Sequence, residues 1–119
     1  NQVCGSLCPE LDIMEANNRV FSSTMHRCDN PTSMGYYTKC DRVGCYQNTR
    51  DMGPGVYGPG ANYRINTLRP FEVQTTFHGK TSKAFASTFT GLTLRLLQNG
   101  RSVLLNHDEC AGHLSSLAE

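Results

Sequence analysis

The run from Phe71 to His78 alternates with period two, with Phe71, Val73, Thr75 and Phe77 on one face and Glu72, Gln74, Thr76 and His78 on the other. A strand half-buried in a sheet separates these two sets, because successive side chains point to opposite faces; a helix would mix them. A second β signal follows. Leu92-Thr93-Leu94-Arg95-Leu96-Leu97 and Ser102-Val103-Leu104-Leu105 flank Gln98-Asn99-Gly100-Arg101, and an Asn-Gly pair between apolar runs predicts a type I′ hairpin turn, since both residues tolerate positive φ. The Gly/Pro-rich run Gly53–Gly60 reads as loop and turn throughout. Helix enters only at the end, where Asp108 to Glu119 could start a short helix after Cys110. No other segment sustains a 3.6-residue apolar period, and there are no internal repeats. At 119 residues the expectation is one domain, all-β, folded as an antiparallel β-sandwich.

Charge narrows the partners. Eleven Lys and Arg against ten Asp and Glu give a net charge of +1, and the basic residues are scattered, so neither nucleic acid nor an acidic membrane surface is an expected partner. No apolar run approaches the roughly 18 residues that span a bilayer, and the sequence opens at Asn1 with no charged and hydrophobic leader in view, so a mature secreted chain is the expectation. Six cysteines in turn-rich sequence suit an oxidising, extracellular setting and structural disulfides. Zinc is the competing use, but Cys4-x3-Cys8 and Cys40-x4-Cys45 lack the paired two-residue gaps of a zinc ribbon. No metal and no cofactor are expected.

Within Cys8-Pro9-Glu10-Leu11-Asp12-Ile13-Met14-Glu15-Ala16-Asn17, three acids fall in six residues of a weakly charged chain. On a strand, Glu10 and Asp12 share a face while Leu11 and Ile13 point to the core, and strict alternation sends Glu15 to the wrong side. A β-bulge between Asp12 and Glu15 shifts the register by one and returns Glu15 to the face of Glu10 and Asp12. Two carboxyl groups about 5–5.5 Å apart are the arrangement for retaining glycoside hydrolysis, one attacking the anomeric carbon and the other protonating the leaving oxygen. Crowded carboxylates cannot all ionise easily, so one should hold its proton near neutral pH. Two other uses of such a cluster stand beside this one: a solvated acidic edge, or a calcium site, which needs more oxygen ligands and would show as a melting temperature lowered by chelators.

Glu10-Leu11-Asp12-Ile13-Met14-Glu15-Ala16-Asn17 resembles the active-site strand of glycoside hydrolase family 7, the cellobiohydrolases and endoglucanases. Family 16 carries a related bulged strand, but further features lie in the family 7 order: His26 followed by Cys28, then Cys40, Cys45, the loop Tyr57-Gly58-Pro59-Gly60 and the hairpin tip Gln98-Asn99-Gly100. The similarity runs from Cys8 to Cys110. It implies a concanavalin-like jelly roll, Glu10 as nucleophile, Asp12 as its electrostatic assistant, Glu15 as general acid/base and His26 near the cleaved bond. Arg50 lies near a product-side arginine position, one residue out of register. The resemblance also implies disulfides Cys28–Cys40 and Cys45–Cys110, while Cys8 matches a half-cystine whose partner lies upstream of this chain, with a Cys4–Cys8 bridge as a local substitute.

The departures carry their own expectations. Family members are considerably longer, so residues 1–119 read as a single partial catalytic domain, an internal fragment whose partners include the remaining segments of the same domain. The chain has no Trp, where the family stacks glucose rings on tryptophans, and Met14 stands where Trp is common. The short span between Cys28 and Cys40 suits an open, endoglucanase-like cleft. The expected function is thus a secreted retaining β-1,4-glucanase acting on cellulose or a related β-glucan. The alternative is a non-catalytic glycan-binding or structural module on the same fold, which would have no need of a proton donor.

Overall fold

The computed structural model describes residues 2–81 and 87–114. In chain order the strands are β1 (Gln2–Val3), β2 (Ser6–Leu7), β3 (Glu10–Ala16), β4 (Phe21–His26), β5 (Cys45–Asn48), β6 (Tyr57–Gly58), β7 (Ile65–Asn66), β8 (Glu72–Thr81), β9 (Ser87–Gln98) and β10 (Arg101–Asn106). A 3-10 turn at Asp108–Cys110 runs into α1 (Ala111–Leu114). The helix expected after Cys110 is therefore present in its first turn, and 115–119 lie outside the described residues. Two three-stranded antiparallel sheets, β3-β4-β5 and β10-β9-β8, form the two layers of the sandwich. The expected fold class holds.

The alternation of the sequence sets what lies between the layers. In β4, Phe21, Ser23 and Met25 are fully buried while Ser22 and His26 are only partly so. Leu92, Leu94 and Leu96 of β9 and Val103 and Leu105 of β10 complete one core with Phe21, Met25, Tyr57 and Ile65, and Leu11 and Ile13 of β3 pack against it. Each such aliphatic side chain contributes about 1.5–3 kcal/mol on burial, which fixes which face of β3 and β4 turns outward. Val73, Thr75 and Phe77 pair with Leu96, Leu94 and Leu92 and so share the core face, as their alternation predicts. Phe77 is nevertheless 56% exposed: β8 is an edge strand among the described residues, and the Phe77 ring sits beside Phe89 with centroids 6.2 Å apart. Asn99 and Gly100 both take positive φ, 49° and 74°, closing the β9–β10 hairpin as the Asn-Gly pair predicts.

One expectation needs correction. The Gly53–Gly60 run is not all loop, because Tyr57 and Gly58 pair in parallel with Ile65 and Asn66. The cause is the Tyr57 side chain, which is 7% exposed and packs edge-on against Phe21 and Phe71 with centroids 6.2 and 5.7 Å away. Its hydroxyl donates to the Asn17 carbonyl at 3.0 Å. A buried aromatic holds the backbone extended, and Ile65 N–H then bonds the Val56 carbonyl.

His107, just after β10, is 3% exposed. Its Nδ1 lies 3.7 Å from the Cys110 sulfur, and its Nε2 has no hydrogen-bond partner among the described residues. Burial pushes its pKa below the ordinary 6.5, because charging a desolvated ring with nothing to accept the proton is costly. The unfolded chain takes up that proton at higher pH than the folded one. This contribution to stability is therefore complete above about pH 6.5 and is lost as pH falls toward the depressed folded value. Urea midpoints measured between pH 7.5 and 5 should fall for the parent chain and fall less for His107→Leu; parallel slopes would show that His107 does not titrate in this way.

Candidate active site

The outward face of β3 and β4 carries the acids. Glu10 pairs with His26, Asp12 with Thr24 and Glu15 with Ser22, with the register shift falling between Asp12 and Glu15. The expected bulge is therefore where the spacing requires it, and all three acids share one face with Ser22, Thr24 and His26. Leu11, opposite Met25, turns the other way into the core. A groove of about 800 Å³ is lined by Glu10, Asp12, Glu15, His26, Lys39 and Arg42, among others.

Each acid has a distinct setting. Thr24 Oγ1 donates to Glu15 Oε2 at 3.1 Å, which orients that carboxyl. Asp12 Oδ2 lies 3.2 Å from His26 Nε2, and the Asp12 backbone carbonyl accepts from Ser23 Oγ at 2.9 Å. Burial, followed by the nearby charges of Glu10 and Glu15, raises the Asp12 carboxyl above its ordinary 3.8, with His26 opposing. The middle acid is thus the one whose ionisation both burial and its acidic neighbours oppose. Because the folded value lies above the unfolded one, ionised Asp12 costs stability once pH rises through that range, and nothing below it. Asp12→Asn should therefore raise the melting temperature at pH 7, with the gain vanishing toward pH 3. An unchanged or lower melting temperature at pH 7 would contradict this.

Arg50 is not brought to the acids; it sits exposed in the turn after β5, and its carbonyl accepts from Gly53 N–H. The disulfides Cys28–Cys40 and Cys45–Cys110 are both formed. Cys4 and Cys8 are free thiols, so the local Cys4–Cys8 bridge does not form; Cys4 sits at positive φ and heads the turn between β1 and β2. No cluster of metal-ligating side chains occurs among the described residues.

Other groups at this face escaped the sequence reading. Tyr46 is half-exposed and pairs with Thr24, which puts an aromatic ring on the acid-bearing face of a chain without Trp. Asp41 stands behind His26, with its carboxylate 3.4 Å and its carbonyl 3.2 Å from His26 Nδ1. The available signal was the Cys28–Cys40 bridge: an antiparallel pairing of these cysteines sets Asp41 opposite Arg27, beside His26.

A bulged strand that lines a groove with three carboxyl groups offers the acid pair that glycoside hydrolysis uses. The whole chain bears this out, since residues 1–117 match the model of glycosyl hydrolase family 7, and the chain belongs to that family. Endoglucanase 1 of Humicola insolens is 36% identical over 81 residues, covering 61% of this chain and 20% of the relative. Endoglucanase EG-1 of Trichoderma longibrachiatum is 31% identical over 97 residues, covering 81% of this chain and 19% of the relative. The chain thus spans about a fifth of the length of these relatives. A GH7 family cellobiohydrolase from Daphnia pulex superposes with a TM-score of 0.72 at 23% identity, over 96% of this chain and 36% of that one, which establishes the shared fold.

Proposed function

We propose that this chain forms the acid-bearing part of a secreted, retaining β-1,4-glucanase with an open, endoglucanase-like cleft. The observation that carries the reading is the register of β3: the bulge between Asp12 and Glu15 sets Glu10, Asp12 and Glu15 on one groove-facing side. Glu10 attacks the anomeric carbon, and Glu15, oriented by Thr24, protonates the departing oxygen and then activates water. Asp12, whose pKa is raised first by burial and then by the charges of Glu10 and Glu15, is the electrostatic assistant of the nucleophile. Family membership and endoglucanase relatives support a β-glucan as the substrate class. The 12-residue separation of Cys28 and Cys40 leaves little chain to roof the groove, which supports the open cleft.

Proton NMR of a soluble β-1,4-glucan digested by the intact protein tests this. The first reducing ends should be β-configured, with the α-anomer growing in only by mutarotation. An α-configured first product would rule out double displacement, and no hydrolysis would rule out the glucanase.

A further inference from the structure

His26 is held from both sides. Its side chain is 12% exposed, with Nε2 3.2 Å from Asp12 Oδ2 and Nδ1 between the Asp41 carbonyl at 3.2 Å and Asp41 Oδ1 at 3.4 Å. The Asp41 carboxylate is itself tied down. Oδ1 accepts from Arg27 N–H at 3.1 Å, and Oδ2 lies 2.9 Å from His113 Nε2. Asp41 N–H donates to the Arg27 carbonyl, and the adjacent Cys40 is bonded to Cys28. Gly44 supplies the clearance: a Cβ there would meet His26 Nδ1 at 2.8 Å and Thr24 Cγ2 at 2.6 Å. Among the described residues, the charged and titratable groups near the His26 ring include Asp12 and its register partner Glu10 from β3, Asp41 from the segment after Cys40, His113 behind Asp41 from α1, and Glu15, Lys39 and Arg42 lining the same groove.

We propose that Asp41, backed by His113, is a positioning residue for His26: it keeps the Nδ1 proton in place and so presents Nε2 to Asp12. An imidazole whose Nδ1–H donates to oxygen has only Nε2 left to share a proton with a carboxyl group. One proton then lies between Nε2 and Asp12, and Asp41 fixes which ring nitrogen faces it. The link runs from α1 through His113, Asp41, His26 and Asp12 to the groove. The kinetic part of this proposal rests on the glucanase reading; the geometric part does not.

The test uses the intact protein labelled with ¹⁵N at histidine, its ring signals assigned with His26→Gln. The parent should show His26 with Nδ1 protonated. Asp41→Asn keeps an oxygen for Arg27 N–H but removes the charge; it should move both His26 ring-nitrogen shifts and lower kcat on a soluble β-1,4-glucan about tenfold with little change in KM, the size typical of a lost orienting partner. His113→Ala should move the same signals in the same direction, and His113→Gln, which can still donate to Oδ2, should restore them. His26 signals and kcat unchanged in Asp41→Asn would overturn the proposal, as would a change confined to KM. If the parent hydrolyses no β-glucan, the glucanase reading fails, and the ring-nitrogen shifts of the Asp41 and His113 variants alone decide the positioning role. Should Asp41→Asn fail to fold, the His113 pair decides: Ala and Gln variants with parent-like His26 signals would overturn it.

Discussion

In the intact protein, Glu15→Gln should react with an activated aryl β-cellobioside in a burst followed by slow turnover, whereas Glu10→Gln should give no burst at all. In the proposed division of roles Glu10 supplies the bond to the anomeric carbon, so its amide leaves no covalent route, and the rate should fall on the order of 10⁵–10⁶-fold. Glu15, in the same proposal, supplies a proton that an activated leaving group does without, so glycosylation should survive its loss. The next step does not: water needs a base to attack the glycosyl-enzyme, and turnover should drop about 10²–10⁴-fold. Azide, a nucleophile that needs no base, should restore turnover in Glu15→Gln and do nothing for Glu10→Gln. The geometry makes the contrast clean, because the two acids reach the groove from opposite sides of the bulge, and Glu15 is held by Thr24 rather than by the Asp12–His26 pair. Equal residual rates without a burst in both variants would exclude the division of roles.

The period-two segments were legible because burial imposes them. Val73 to Phe77 pairs with Leu92 to Leu96, and each intervening residue faces outward. The bulge was legible for a chemical reason: three acids in six residues make sense only if they share a side, and one extra residue in the register achieves this. The sites formed by contacts between distant segments were not legible. Asp41 and His113 are 72 residues apart, and nothing in either neighbourhood announces the other. Tyr57 and Gly58 were hidden for a different reason. Gly and Pro around them signal turns, and only the burial of one aromatic ring against Phe21 and Phe71 overrides that signal. Gln98 illustrates the middle case. It belongs to the hairpin tip by sequence, but its amide is what ties that hairpin to β7, donating to the Asn66 and Pro70 carbonyls and accepting from Asn66 N–H at 2.7 Å.

Removing the Cys45–Cys110 bridge should destabilise the fold more than removing Cys28–Cys40, and the reason begins in the unfolded chain. The two bridges close separations of 65 and 12 residues. Loop-closure entropy then assigns them about 4.3 and about 2.8 kcal/mol, the gap of about 1.5 kcal/mol coming from the logarithm of the loop lengths. The folded state widens this gap. Cys110 is 1% exposed and belongs to the core, so its replacement by Ala also loses packing, whereas Cys28 lies on the exposed segment after β4. The longer bridge moreover joins β5 to the turn that leads into α1, and α1 carries the His113 that backs Asp41. Its loss should therefore loosen the environment of His26 at urea concentrations below the global transition. The shorter bridge restrains the segment next to Asp41 directly, so its removal should disturb His26 with a smaller cost in global stability. Urea titrations of the two double Cys→Ala variants, followed by far-UV circular dichroism and by the His26 ring signals, separate these effects. A Cys28/Cys40 variant that unfolds at the lower urea concentration would show that local restraint of the groove wall, rather than chain entropy, governs the stability of this fold.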